Sequence, residues 1–316
     1  MGASRNLRGE PVYIFRGEWA MKQIGVIGLG IMGSSMADNL LKAGYELFVF
    51  DQLPGKVKEL AEHGATACAT PREVAAKVEA VVIMVKNDRD TEDVVLGGDG
   101  ILKGARPGLV ILNSSTILPS TSKNLAGIAA GKGLVMLDCP VTGSAPQAKQ
   151  GTLAFMVGGG DKAVFDRCEP VFLAMGKAAY YLGASGNGSY AKLANNTMYA
   201  INLLAFIEAV SIASKSGIDP ELFIEIVGKG GARSLVAEAK LPKILDRDFS
   251  PAFSLAMMNK DLGLVTQLTA DLGLATPVFD AVKGMLGKAL AQGWGEEDLS
   301  SVVKLYEQTS GYVISR

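Results

Sequence analysis

The chain has 316 residues, 48% of them hydrophobic and 20% charged, enough for a well-buried core and, by length, for about two domains. Thirty-one Lys and Arg stand against 32 Asp and Glu, a net charge of −1, so neither nucleic acid nor an anionic membrane is suggested as a partner. The three cysteines, Cys68, Cys139 and Cys168, are odd in number and far apart, which suggests no disulfide framework or metal clip and fits a reducing cytoplasm. Residues 1–20 lack periodicity and carry Arg5, Arg8, Glu10, Arg16 and Glu18 where a signal peptide needs an apolar stretch; they read as an N-terminal extension outside the fold. No run of about 18 consecutive apolar residues appears, so a spanning segment is not expected. From Met21 to residue 184, short apolar runs alternate with helical patterns: Ile24–Ile27, Leu47–Phe50, Val81–Val85, Leu109–Leu112, Leu134–Leu137 and Leu153–Val157 are buried-strand candidates. This is the rhythm of parallel βαβ units, an α/β domain of Rossmann type. Gly183-Ala-Ser-Gly-Asn-Gly188 interrupts it, and residues 185–316 turn helical: one long helix over Ser189–Ser216, then Pro220–Val227, Ala237–Ile244, Leu255–Leu272, Val278–Gln292 and Leu299–Gln308.

The single histidine, His63, sits in a helix's last turn before Gly64, so acid–base chemistry falls to Lys, Tyr, Asp, Glu or Cys. Cys139 precedes Pro140 with no histidine to activate it, and reads as packing.

Immediately after the first strand comes Gly28-Leu29-Gly30-Ile31-Met32-Gly33. The strand before it, the helix after it and Asp51 at the end of the second strand together form a dinucleotide-binding fingerprint. Gly28 makes the turn, Gly30 admits a pyrophosphate close to the backbone, and Gly33 lets helix and strand pack. Asp51 would accept from ribose hydroxyls and repel a 2′-phosphate, and Gln52 stands where an arginine would favour NADP; NAD is the expected cofactor. Three further loops follow strand ends: Val85-Lys86-Asn87, Asn113-Ser-Ser-Thr116 and Asp138-Cys-Pro-Val-Thr-Gly-Ser144. Thr142, Gly143 and Ser144 could hold a carboxylate, although the same residue types also make ordinary turns. Lys192 lies in the first turn of the long helix with Asn196 one turn on, on the same face. A helix N-terminus disfavours a cation, which would lower the lysine's pKa and suit it to proton transfer; a solvated lysine is the alternative. Arg233 could be a second anchor for an anionic substrate or an interdomain ion pair.

The glycine loop, Ser115-Thr116 with Pro119, Asp138-Cys-Pro-Val-Thr-Gly-Ser with Gly151-Thr-Leu153, Gly188-Ser-Tyr-Ala-Lys192-Leu-Ala-Asn-Asn196 and Lys260-Asp-Leu262 together resemble the β-hydroxyacid dehydrogenases, which include the 3-hydroxyisobutyrate dehydrogenases and the tartronate semialdehyde (2-hydroxy-3-oxopropionate) reductases. The resemblance runs from Lys22 to about Tyr306. It implies a Rossmann-type domain, a long interdomain helix and an all-α domain, with the site in the cleft between domains. It implies Lys192 as general acid/base with Asn196 as partner, Thr142, Gly143 and Ser144 around the substrate carboxylate, and Thr116 and Lys260 beside the nicotinamide, with Val85 and Lys86 in the cofactor loop. The sequence departs from the family at Thr142-Gly143-Ser144 (usually Ser-Gly-Gly), Cys139 (commonly Ala), Lys86 (generally Pro) and Asn113 (usually Asp). The activity implied is NAD-dependent interconversion of a small 3-hydroxy acid and its semialdehyde or 3-oxo acid. A larger, sulfonated or phosphorylated acid, or a catalytically silent binding module, are the alternatives. No metal site is expected, and the apolar helical half suggests a homodimer or homotetramer.

Overall fold

The computed structural model describes residues 21–316 and, ahead of them, only the strands Ser4–Arg5 (β1) and Pro11–Val12 (β2), paired antiparallel. The extension expected over residues 1–20 otherwise lies outside the described residues. The chain divides into two compact units, the first ending at Lys192 and the second spanning Leu193–Arg316.

In the first unit the chain runs β3 (Gln23–Ile27), α1 (Ile31–Lys42), β4 (Glu46–Phe50), α2 (Pro54–Glu62), β5 (Thr66–Ala67), α3 (Pro71–Ala75), β6 (Ala80–Ile83), α4 (Asp88–Leu96), α5 (Ile101–Gly104), β7 (Val110–Asn113), α6 (Pro119–Ala130) and β8 (Val135–Asp138). The strands form one parallel sheet in the order β5-β4-β3-β6-β7-β8. Parallel strands covered on both faces become continuous apolar runs, and every residue of β6 and β7 is buried. Val26, Val49, Val82 and Leu112 enter one core layer, while Ile27, Phe48, Ile83 and Ile111 enter the layer on the other face. The strand order reverses between β3 and β6, which opens a crevice at their carboxyl ends.

After β8 come β9 (Val141–Thr142), α7 (Ala145–Lys149), β10 (Leu153–Val157), α8 (Lys162–Met175) and β11 (Gly176–Tyr181). Leu153–Val157, expected in the parallel βαβ rhythm, instead belongs to a separate three-stranded sheet in which β10 pairs parallel with β11 and antiparallel with β9. Pro140 has no N–H with which to extend the β8 ladder, and Gly143, at φ +118°, turns the chain back on itself. A backbone bridge between Asp138 and Gly158 joins β8 to this second sheet. All three thiols are free and buried in this unit. Burial pushes Cys139 well above the ordinary thiol range and Cys168 up to about 12.

Helix α9 (Asn187–Lys215) runs across the division between the units. It is long and apolar enough to cross a membrane by length and composition. Its Leu193, Ala200, Leu203, Ile207 and Val210, however, are buried in the core of the second unit. That unit continues with α10 (Pro220–Gly228), α11 (Leu235–Leu245), α12 (Leu255–Asp271), α13 (Pro277–Ala291), a 3-10 turn over Leu299–Val302 and α14 (Val303–Ser310). The turn replaces the first half of the helix expected over Leu299–Gln308, because Asp298 accepts the Ser300 N–H and pulls that turn tight. At the centre, Lys240 Nζ donates to both oxygens of Asp298 at 2.8 Å, with both side chains buried. Asp298 also accepts from the Ala252 and Phe253 N–H groups (3.1 and 3.3 Å) and the Ser300 hydroxyl (2.8 Å). Burial works against its charge, but Lys240 and the Ser300 bonds hold the carboxyl below its ordinary value.

Candidate active site

The glycine loop leaves β3 at the point where the strand order reverses. Gly28 has φ +91°, and a Cβ there would lie 2.2 Å from the Met84 carbonyl oxygen; one at Gly33 would lie 1.9 Å from that of Gly28. Both positions admit nothing larger than glycine. Gly30 differs, since nothing lies within 4 Å of where its Cβ would stand. The open side of Gly30 therefore adjoins the first turn of α1, which carries no side-chain cap and no acidic residue. Backbone N–H groups in that arrangement suit a pyrophosphate. Leu29 is buried, Ile31 is exposed and Met32 packs partly against the core.

Asp51 ends β4. Its Oδ2 accepts the Leu29 N–H at 2.6 Å and its Oδ1 the Leu53 N–H at 2.8 Å, which locks the carboxylate against the glycine loop. Each oxygen keeps a second acceptor direction for a ribose hydroxyl. Gln52 beside it is exposed. These residues fit a dinucleotide: a bare backbone cradle, a helix N-terminus and a fixed acceptor.

The neighbouring loops are tied together at the same edge of the sheet. The Val85 N–H donates to Ser115 Oγ at 3.0 Å, joining the loop after β6, with its exposed Lys86, to the loop carrying half-buried Thr116. Asp88, at the start of α4, accepts from the Leu118 N–H and the Thr121 hydroxyl. After β8, Thr142 pairs with Ala154, Gly143 is exposed, and Ser144 precedes α7. Ser144 directs both of its donors to Gln147 Oε1, its N–H at 3.0 Å and its hydroxyl at 2.7 Å. Sequence reasoning passed over Gln147, although Ser-x-x-Gln before a helix is a capping signature that could have found it.

Half-buried Lys192, expected in the first turn of the long helix, stands in its second turn because α9 starts two residues earlier than expected, at Asn187; Asn196 follows one turn on. The start of this helix is fixed within the first unit. Asp138 Oδ1 accepts the Gly186 N–H and Oδ2 the Ser189 N–H, both at 2.8 Å. The Ser122 and Ser189 hydroxyls meet at 2.9 Å, and Lys123 Nζ donates to the Tyr190 hydroxyl at 3.2 Å while lying 4.8 Å from its ring centre. Burial raises the Asp138 carboxyl above its ordinary value, against the pull of the Gly186 and Ser189 N–H groups.

In the second unit, Asn196 Nδ2 donates to Asp261 Oδ2 at 2.7 Å, and Lys260 Nζ lies 2.7 Å from Asp261 Oδ1. Asp261 is the buried link between two expected site residues, and its signal was its place in the Lys260-Asp-Leu262 motif. Arg233 joins neither of them through this network; it donates to Glu238 at 2.7 Å beside an open hollow of about 370 Å³. His63 pairs with Asp38 at 2.8 Å. Among the described residues no three His, Cys, Asp or Glu side chains gather as metal ligands would.

Residues 23–183 match the sequence family described as the NAD binding domain of 6-phosphogluconate dehydrogenase. Residues 186–306 match that described as NAD-binding of NADP-dependent 3-hydroxyisobutyrate dehydrogenase. The chain is 36% identical to the 2-(hydroxymethyl)glutarate dehydrogenase of Eubacterium barkeri, over 93% of its own length and 97% of the relative's. It is 35% identical to the 2-hydroxy-3-oxopropionate reductase of Escherichia coli, over 93% of its length and 100% of that protein's. The solved structure of a 3-hydroxyisobutyrate dehydrogenase of Mycobacterium tuberculosis with L-serine superposes with a TM-score of 0.81 at 30% identity, covering 90% of this chain and 99% of the other. The chain therefore belongs to the β-hydroxyacid dehydrogenase family of nicotinamide-dependent oxidoreductases.

Proposed function

We propose that the protein interconverts a small 3-hydroxy acid and its semialdehyde or 3-oxo acid, with NAD preferred over NADP. The observation that carries this reading is that the glycine loop, the segment running from Asp138 into Thr142–Ser144 and the N-terminal end of α9 are all anchored at the carboxyl ends of strands of one sheet. The compounds named for the relatives are consistent with it. 3-Hydroxyisobutyrate, L-serine, 2-(hydroxymethyl)glutarate and 2-hydroxy-3-oxopropionate each carry a carboxylate and an oxygen on the carbon two bonds from it.

In this reading Gly28 to Gly33 hold the pyrophosphate, Asp51 accepts from the ribose, and Gln52, Val85, Lys86, Thr116 and Lys260 complete the cofactor contacts. The bound nicotinamide supplies the hydride acceptor or donor. Thr142, Gly143 and Ser144 hold the substrate carboxylate and Arg233 is a second anion anchor. Lys192 Nζ, as the free amine, takes the hydroxyl proton during oxidation and returns it as the ammonium during reduction. Asn196, held by Asp261, orients the reacting oxygen. Asp51 supports NAD because its oxygens already accept from Leu29 and Leu53 and offer no donor to a 2′-phosphate. Exposed Met198, Ile212, Leu222, Ile226 and Leu235 support a homo-oligomer, and three free thiols suit the cytoplasm.

The test is reduction of NAD and of NADP by the purified protein over 3-hydroxyisobutyrate, L-serine, glycerate and 2-(hydroxymethyl)glutarate. Turnover of one acid with NAD, reduced by about 10³-fold or more in Lys192→Ala while NAD affinity is kept, is the expected result. Silence across the panel, with NAD bound, would favour a larger acid or a non-catalytic module.

A further inference from the structure

We infer that Asp138 is a positioning residue for Lys192, setting where the acid/base amine stands relative to the loop that holds the substrate carboxylate. The inference rests on the proposed role of Lys192 and adds to it a residue outside the set assigned to substrate or cofactor.

A helix's first N–H groups have no partner within the helix. In α9 two of the groups at this end are taken by a side chain 48 and 51 residues earlier in the chain: Asp138 receives Gly186 on one oxygen and Ser189 on the other. A carboxylate bridging two N–H groups three residues apart fixes the helix both along its axis and in rotation about it. Lys192 is the next residue on that face, three positions after Ser189, so its azimuth follows from Asp138. Backbone contact enforces the same seat, since a Cβ on Gly188 would lie 2.3 Å from the carbonyl oxygens of both Asp138 and Met156.

The same residue begins the carboxylate loop. Asp138 is the last residue of β8, anchored by mutual backbone bonds with Gly158 at 3.0 and 2.8 Å, and Cys139 to Ser144 follow directly. One rigid, 1% exposed residue thus holds the loop by its backbone and the helix by its side chain. The separation between carboxylate and proton acceptor decides which carbon's hydroxyl can react, and an error of about 1 Å in such a placement lowers rates about 100-fold.

Asparagine at 138 keeps the shape but offers one acceptor and one donor group, so it can satisfy only one of the two N–H groups. The experiment compares Asp138→Asn, Lys192→Ala and the double variant on the acid of the panel turned over best, with residual rates read at high enzyme concentration. Expected is a loss of about 100-fold in kcat for Asp138→Asn, with the NAD dissociation constant and the substrate KM each within about threefold, and no further loss when it is added to Lys192→Ala. A loss that multiplies in the Lys192→Ala background, an unchanged kcat, or a loss residing in cofactor binding would each overturn the positioning role. A fully active Lys192→Ala shows in the single variant alone that the lysine reading has failed, and the Asp138 role falls with it. Should Asp138→Asn not fold, Ser189→Pro removes one of the two N–H groups at a helix position that tolerates proline. It should lose kcat well beyond Ser189→Ala; equal losses in the two would count against the role.

Discussion

Two glycines in one loop carry different physical loads, and the difference can be measured. Gly33 is forced by backbone: its missing Cβ would fall 1.9 Å from the Gly28 carbonyl oxygen. Gly33→Ala is therefore expected to lower the melting temperature by several degrees before any ligand is added. Gly30 faces open space and has an ordinary negative φ of −64° in extended backbone. Gly30→Ala should fold with an unchanged melting temperature yet bind NAD at least about tenfold more weakly, because the methyl group stands where the pyrophosphate approaches. Differential scanning fluorimetry with and without NAD separates the two effects. Equal behaviour of the two variants would mean that Gly30 is not a ligand position.

At the scale of elements, α11 and the 3-10 turn are joined by the buried Lys240 and Asp298 pair. Breaking such a pair from one side leaves a buried charge unmatched and costs about 3–5 kcal/mol. Lys240→Met is expected to show that loss in urea titrations at pH 7. The pH dependence carries the sign. Asp298 is held below its ordinary carboxyl value when folded, so its contribution is present above the unfolded value near pH 4 and fades as pH falls through the folded value. In Lys240→Met the buried carboxyl is left with its desolvation and prefers to be protonated, so the penalty should shrink as pH falls toward 4. A pH-independent difference between the two proteins would refute this account. The sequence pattern showed the helices here but not this pair, because Lys240 and Asp298 are 58 residues apart and each alone reads as a surface charge.

Over the whole molecule, what was legible in the sequence was what is local. The glycine loop with its strand and helix, Asp51 at a strand end, and Lys192 four residues before Asn196 are all spacings along the chain, and the parallel sheet followed from runs such as Val81-Val82-Ile83. What required coordinates is what folding brings together: Asp138 with Gly186 and Ser189, Asn196 with Asp261, Ser115 with Val85. The second sheet was missed for the same reason, since Val141–Thr142 is too short to show an alternation and only its pairing with Phe155 and Ala154 makes it a strand.

The distribution of thiols gives the protein a built-in clock. Cys68, Cys139 and Cys168 are all buried in the nucleotide-binding unit, and the helical unit from Leu193 onward contains no cysteine. Colour development with a thiol reagent therefore times the opening of that one unit and is blind to motion in the other. Thiolate formation at Cys139 and Cys168 is suppressed by burial, so labelling waits on exposure rather than on reagent. A ligand held only by the closed form slows opening in proportion to its saturation, about 100-fold at 100 times its dissociation constant. Each dinucleotide can thus be ranked from the labelling rate of the unaltered protein, with no substrate present.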